Sequence, residues 1–169
     1  DLLMFSKPRV PQKKYCNLKD IIEEASEFFS DLFSNREIKL KVDISKVKGK
    51  VFLDPNGILH CLTNLILNAG EVVPEKTGII KITGELSKNN ELIITVSDNG
   101  KGIPTEQLNN LFEPFFTTKG YKGTGLGLSV TKKIIEEHGG KILVTSKVNS
   151  GTQFKFIIPQ TTIEIKGKE

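Results

Sequence analysis

The chemistry-bearing residues of this chain sit in two glycine clusters and one stripe of amides. Asp98-Asn99-Gly100-Lys101-Gly102-Ile103-Pro104 follows a strand-like run directly, and Gly123-Thr124-Gly125-Leu126-Gly127-Leu128 opens a helical run. Glycines at a helix start let backbone N–H groups approach a phosphate, and the helix dipole favours its charge. A carboxylate at a strand end, Asp98, can accept from the amino group of a base; adenine offers that donor where guanine presents a carbonyl oxygen. Neither cluster matches G-x-G-x-x-G or G-x-x-x-x-G-K-[ST], so the two nucleotide folds built on those spacings are disfavoured. Taken singly, each cluster also fits a turn that only redirects the chain. The third feature lies between Pro55 and Val73, where Ile58, Leu62, Leu65, Ala69 and Val72 share one helical face and His60, Asn64, Asn68 and Glu71 share the other. That polar stripe reads equally as a solvated surface or as a set of buried amides awaiting a polar ligand.

These groups need elements to position them. The 169 residues, 37% hydrophobic and 26% charged, match one globular domain with a sizeable core. The apolar runs, such as Ile93 to Val96, are far shorter than the roughly 18 residues of a membrane span, so the chain is expected neither to cross a membrane nor to be exported. Its net charge of +4 comes from scattered lysines with only two arginines, Arg9 and Arg36, which argues against a nucleic-acid surface. Cys16 and Cys61 are far apart and suggest neither a disulfide framework nor a zinc site, so a reducing cytoplasm is expected.

Leu2, Leu3 and Phe5, followed by Ser6-Lys7-Pro8-Arg9-Val10-Pro11, read as a helix end and linker. Asp1 at the start, with Met4 the only methionine, suggests a segment of a longer protein. The expected organisation is a linker at 1–14, a domain at 15–160 and a polar tail at 161–169. Asn17 is expected to cap a helix running to Asn35, its apolar stripe including Phe28, Phe29, Leu32 and Phe33 being core. Strands are expected near Ile38–Ile44 and Val51–Leu53, then a helix capped by Asp54 with Pro55 in its first turn. A hairpin joins Ile79–Leu86 to Glu91–Ser97, and a long loop rich in Gly, Thr, Asn and Phe occupies 98–125. A helix over Leu126–His138 and strands at Lys141–Ser146 and Gln153–Ile158 complete the pattern. The fold class is α+β: a two-layer α/β sandwich, its mixed sheet of about five strands carrying three helices on one face and a long lid loop.

In order and spacing, Asn64-Leu-Ile-Leu-Asn68-Ala69, Asp98-Asn-Gly100-Lys-Gly102, Phe112-Glu-Pro-Phe115-Phe116-Thr-Thr-Lys119 and Gly123-Thr-Gly125-Leu-Gly127-Leu resemble the N, G1, F and G2 boxes of sensor histidine kinases. These belong to the superfamily shared with gyrase, a heat-shock chaperone and mismatch-repair ATPases, known by its Bergerat nucleotide-binding fold. The resemblance covers Cys16 to Pro159, and Gly151-Thr152-Gln153-Phe154 also fits. The opening Leu2 to Pro8 looks like the end of the dimerisation and phosphoacceptor helices that precede this module in such kinases.

The resemblance implies roles residue by residue. Asn68 would give its amide oxygen to a magnesium ion bridging the phosphates of ATP, with Asn64 and Glu71 beside it. Asp98 would bind the adenine amino group, Gly100, Gly102 and Ile103 would pass close to the base, and Thr152 would help hold Asp98 and an ordered water. Gly123, Gly125 and Gly127, with Thr124, Leu126 and Leu128, would wrap the phosphates. Phe112 and Phe115 would anchor a lid, and Lys119 or Lys122 would reach the outer phosphates.

Two departures bear on activity. Hydrolytic relatives place a Glu four residues before the magnesium Asn, where this chain has Asn64, so transfer is expected over hydrolysis. Many kinases carry a Lys and an aromatic residue where Glu71 and Val72 stand, which removes one phosphate contact and one stacking contact. Neither His60 nor His138 has the family's phosphoacceptor context; His138 reads as a cation at a helix C-terminus, and His60 as packing near the site edge. No residue of the chain is therefore assigned as the phosphoacceptor. The implied protein is the ATP-binding catalytic domain of a two-component kinase, monomeric alone, cytoplasmic, without nucleic-acid or membrane contact. Its partners would be its own dimerisation helices and the receiver domain of a response regulator. A hydrolytic ATPase of the superfamily and a nucleotide-regulated binding module stand as alternative readings.

Overall fold

The computed structural model describes residues 10–117 and 124–161. The chain runs β1 (Lys14–Cys16), α1 (Leu18–Glu27), α2 (Ser30–Asn35), β2 (Lys39–Lys46), β3 (Val51–Leu53), α3 (Pro55–Val72), β4 (Ile79–Leu86) and β5 (Glu91–Asp98). After the short helix α4 (Thr105–Leu108) come α5 (Gly127–Glu137), β6 (Lys141–Lys147) and β7 (Gly151–Pro159). The five-stranded sheet has the order β2-β4-β5-β7-β6; β2 and β4 are parallel and the remaining pairs antiparallel.

Alternation along the central strands produces one apolar face. Ile82, Val96 and Phe154 stand opposite one another across β4, β5 and β7, as do Leu92 and Ile158, and all five are buried. The cross-strand neighbours Lys81 and Ser97, and Thr95 and Lys155, carry the polar face. Helix α3 is the centre of the second layer: it packs on α1 and α5 and against β4 and β5. Its apolar side, Ile58, Leu62, Leu65 and Ala69, is buried in the common core. The helix begins where the Asp54 carboxylate accepts from the Asn56 and Gly57 N–H groups, each at 3.1 Å, and ends before Pro74.

The α+β sandwich and the hairpin of β4 and β5 match the sequence expectation, and three local features do not. The helix expected from Leu18 to Asn35 is two helices, broken at Phe28 and Phe29, where φ −115° and ψ 1° at Phe29 leave the helical region. The Ser26 hydroxyl donates to the Ile22 carbonyl at 2.6 Å just before the break, a local bond that competes with helix continuation. The apolar stripe is therefore divided: Phe33 is buried and stacks on Phe29 at 5.5 Å, while Phe28 and Leu32 are exposed. Asn17 occupies the N-cap position without a capping bond; its amide donates to Asp20 at 3.2 Å. Val51–Leu53 does not join the main sheet. It pairs with β1, whose strand begins at Lys14 within the expected linker, and the Gln12 N–H donates to the Asp54 carboxylate at 3.1 Å. The expected helix end at Leu2–Pro8 lies outside the described residues, as does the tail beyond residue 161.

Candidate functional site

A cavity of about 980 Å³ opens between α3, the C-terminal end of β5, the 98–104 loop and the start of α5. Asn64, Asn68 and Glu71 reach it from α3, on the polar stripe; the stripe therefore faces a cavity. Asp98 lines it from the end of β5, Gly102 and Ile103 from the loop that follows, and Thr152 from β7. Thr124, Gly125, Gly127 and Leu128 close it from the α5 side. Gly100, Phe112 and Leu126 lie behind the wall. Leu126 is buried, and Phe112 packs edge-on against Phe154 with ring centroids 6.4 Å apart. Lys119, Lys122 and Gly123 lie outside the described residues.

At one end of the cavity, one oxygen of Asp98 accepts from the Gly100 N–H at 2.8 Å and the Thr152 N–H at 3.3 Å. Both donors converge on Oδ1. The same carboxylate is half buried, and burial pushes its pKa above the ordinary value despite the two donors. Glycines bring the loop into close register with its surroundings. A Cβ on Gly100 would sit 2.7 Å from a Val72 methyl of α3, and one on Gly102, at φ +70°, would collide with the Lys147 carbonyl. The turn between β6 and β7 thus grips the loop from the other side, and the Asn149 N–H donates to the Lys101 carbonyl at 2.8 Å.

At the other end, the Asn64 amide donates to the Thr131 hydroxyl at 3.0 Å, tying α3 to α5. Gly127 opens α5 directly against the Asn64 side chain. The lid region is fastened by backbone: the Phe115 N–H donates to the Gly125 carbonyl at 2.9 Å, and both residues have positive φ, 65° and 66°. Phe115 is 65% exposed, so it is the main chain of Phe115 that holds; Phe116, packed against the core, lines the cavity instead.

Sequence reasoning missed Ser146, Thr131 and Asn149, and gave Phe116 no role of its own within its motif. A hydroxyl on a strand and an amide in a turn carry no local signal; Ser146 meets Ile103, 43 residues back, and Thr131 meets Asn64, 67 residues back. The two histidines are settled by packing. His138, at the C-cap of α5, is buried; its Nδ1 donates to the Ile134 carbonyl at 2.7 Å and its Nε2 accepts from the Asp54 N–H at 3.0 Å. Both ring nitrogens are engaged in the neutral form and burial lowers the pKa, so the expected cation is a neutral lock between α5 and α3. His60, half buried on α3, does not line the cavity.

Among the described residues no cluster of three His, Cys, Asp or Glu side chains is placed to hold a metal ion. The polar side chains that α3 brings to the cavity are the amides of Asn64 and Asn68, one turn apart, and the carboxylate of Glu71; of the two amides, that of Asn64 is tied to Thr131. Lys101 is the cation lining the cavity among the described residues. No helix among them is long and apolar enough to cross a membrane.

Comparison with known proteins identifies the family. Residues 53–162 match the family model described as histidine kinase-, DNA gyrase B-, and HSP90-like ATPase. The sensor histidine kinase ZraS of Salmonella typhimurium is 38% identical over 159 residues, 94% of this chain and 34% of its own length. The chain thus spans about a third of that curated relative. The solved catalytic domain of histidine kinase ThkA superposes with a TM-score of 0.79 at 38% identity, covering 89% of this chain and 97% of that domain. The structure of ThkA in complex with the response regulator protein TrrA aligns with a TM-score of 0.80 at 35% identity, covering 95% of this chain and 45% of that one. A family model over more than half of the chain and a likeness that covers nearly all of a solved catalytic domain leave one assignment: the chain belongs to the histidine kinase-, DNA gyrase B- and HSP90-like ATPases, as a histidine-kinase catalytic domain.

Proposed function

We propose that this chain binds Mg-ATP and serves as the catalytic domain of a two-component sensor histidine kinase. In this reading the γ-phosphoryl group passes to a His nitrogen on a dimerisation domain outside these residues: an N–P bond forms, the bond to the β-phosphate oxygen breaks, and ADP leaves. A response-regulator Asp is the onward acceptor, a reading supported by the likeness to ThkA, whose complex with TrrA is known.

The observation that carries the proposal is the state of Asp98. Its Oδ1 is saturated by two backbone N–H groups, so Oδ2 is the acceptor left for the cavity, where an adenine amino group would donate. At the opposite end Asn68 would contribute an oxygen to Mg2+, which supplies charge neutralisation of the phosphates. Asn64 supports transfer over hydrolysis. An amide held by Thr131 cannot take a proton from water, so no general base stands where hydrolytic relatives carry a Glu. Thr124, Gly125 and Gly127, which line the cavity, would meet the phosphates; for Lys119, Lys122 and Gly123 the same role rests on the sequence motif.

Calorimetric titration of the 169-residue chain tests this. Mg-ATP should bind, EDTA should weaken binding, and both Asn68→Ala and Asp98→Asn should abolish most of it. Absence of any adenine-nucleotide binding by the wild-type chain would favour a nucleotide-independent interaction module.

A further inference from the structure

The most densely connected hydroxyl near the cavity belongs to Ser146, on β6. Its Oγ accepts from the Ile103 N–H at 2.8 Å, lies 2.9 Å from the Gly151 carbonyl, and lies 2.9 Å from the Thr152 hydroxyl. A serine has one proton to give. A carbonyl oxygen can only accept, so that proton goes to Gly151. The Ser146–Thr152 contact is then a hydrogen bond only if Thr152 donates its own proton to Ser146. Thr152 is 6% exposed and lines the cavity, and with its proton committed its hydroxyl can only accept from whatever occupies the site. Next to it, Asp98 is also an acceptor, its Oδ1 bound by the Thr152 and Gly100 N–H groups.

We propose that Ser146 is a positioning residue for base selection: by taking the Thr152 proton it makes the adjoining Asp98 and Thr152 side chains a pair of acceptors at the base end of the cavity. Such a pair accepts an amino group and repels a carbonyl oxygen. This rests on the adenine-nucleotide reading above and adds a cause for discrimination that Asp98 alone does not supply. A hydroxyl free to rotate would adapt to either edge, donating to a carbonyl as readily as accepting from an amine. Ser146 removes that freedom. Its bond to the Ile103 N–H also fixes the loop whose other end carries Asp98, so the two acceptors are held together.

The probe that isolates this effect is Mg-ITP, whose base differs from adenine in replacing the amino group by a carbonyl, with the adjacent ring nitrogen protonated. Affinities for Mg-ATP and Mg-ITP are measured for the wild type, Ser146→Ala, Thr152→Val and the double variant. Removing Ser146 should let Thr152 turn its proton to the cavity, so ITP binding tightens and the ATP-over-ITP preference falls about tenfold, the worth of one hydrogen bond. In the Thr152→Val background the Ser146→Ala change should leave the preference unaltered, because the coupling runs through the missing hydroxyl. General loosening of the loop would instead weaken both nucleotides by the same factor, and that result, or an unchanged preference, overturns the proposal. Should Ser146→Ala fail to fold, Ser146→Cys keeps a side chain there with a poor acceptor and reads the same ratio. A wild-type chain that binds neither nucleotide overturns the underlying reading, and this inference with it; wild-type preference for ATP that survives both substitutions overturns this inference alone.

Discussion

Gly127 and Asn64 touch across the interface of α5 and α3 so closely that a Cβ on the glycine would collide with the asparagine side-chain oxygen and stand 3.0 Å from its Cγ. Asn64 has little room to yield, because its amide donates to the buried Thr131 hydroxyl at 3.0 Å. The absence of a side chain at residue 127 thus sets how far the glycine segment can approach the amide stripe. Gly127→Ala should force the two helices apart or break the Asn64–Thr131 bond, at a cost of about 1–3 kcal/mol, the usual range for overpacking. The loss should appear in Mg-ATP affinity as well as in thermal stability. Wild-type affinity in a Gly127→Ala chain would show that the approach of the helices does not matter to the site.

Asp98 opposes stability while serving the site. Its folded pKa is raised, chiefly by burial, so the ionised carboxylate is penalised in the folded state. The sign follows: the penalty is absent below the unfolded pKa, grows as pH rises from there to the folded pKa, and is complete above it. Asp98→Asn should therefore keep or raise the melting temperature of the nucleotide-free chain at pH 7, since its oxygen can still accept from Gly100 and Thr152. It should weaken Mg-ATP binding by about one to two orders of magnitude, the worth of a hydrogen bond to a charged group, by presenting NH2 where an acceptor is needed. A variant that melts well below the wild type at pH 7 would mean that the carboxylate is structural.

Much of this was legible in the sequence, and the illegible parts share a cause. Alternation exposed the hairpin of β4 and β5, and the four-residue step from Asn64 to Asn68 placed both amides on one side of α3 before any contact was known. The break at Phe28 was hidden because the apolar periodicity continues through it; the Ser26 bond to Ile22, the stacking of Phe33 on Phe29 and the fit of Phe33 against Gly70 divide the stripe. The three residues of β1 are too few to show a period, and their pairing with β3 depends on a partner more than 30 residues on. Ser146 alternates like any strand residue, and its significance comes from Thr152 on β7 and from Ile103 in the loop after β5.

His138 should make stability depend on pH. With Nδ1 donating to Ile134 and Nε2 accepting from Asp54, a second ring proton would meet the Asp54 N–H head-on. Its folded pKa is accordingly depressed, with burial the leading cause. A base with a depressed folded pKa contributes stability that is present above its unfolded value, about 6.5, and is lost as pH falls toward the folded one. Melting temperature should decline on acidification below that value. His138→Leu should lose about 1–3 kcal/mol at pH 7.5, because the Asp54 N–H is left unpaired in the core, and should flatten this part of the pH profile. An identical profile in the variant would assign the acid sensitivity to other groups.

Arg36 closes the far end of α3. One guanidinium nitrogen donates to the Gly70 carbonyl at 2.6 Å and another to the Val73 carbonyl at 3.3 Å, satisfying acceptors that a helix terminus leaves open. The cation also stands at the negative end of the α3 dipole. Its 3.6 Å contact with Glu75 adds little, since that carboxylate is exposed and screened. Arg36→Met should cost about 1.5–3 kcal/mol through the lost charged hydrogen bonds, and Arg36→Lys should recover only part, because an ammonium cannot present two nitrogens in a planar fork. The functional link is local: the turn that Arg36 holds carries Glu71 and Val72, and Val72 is the wall against which Gly100 packs. Amide hydrogen exchange should therefore quicken in Arg36→Met both at the last turn of α3 and at Gly100, whose N–H is donated to Asp98. Faster exchange at the helix end with no change at Gly100 would confine Arg36 to capping and separate it from the site.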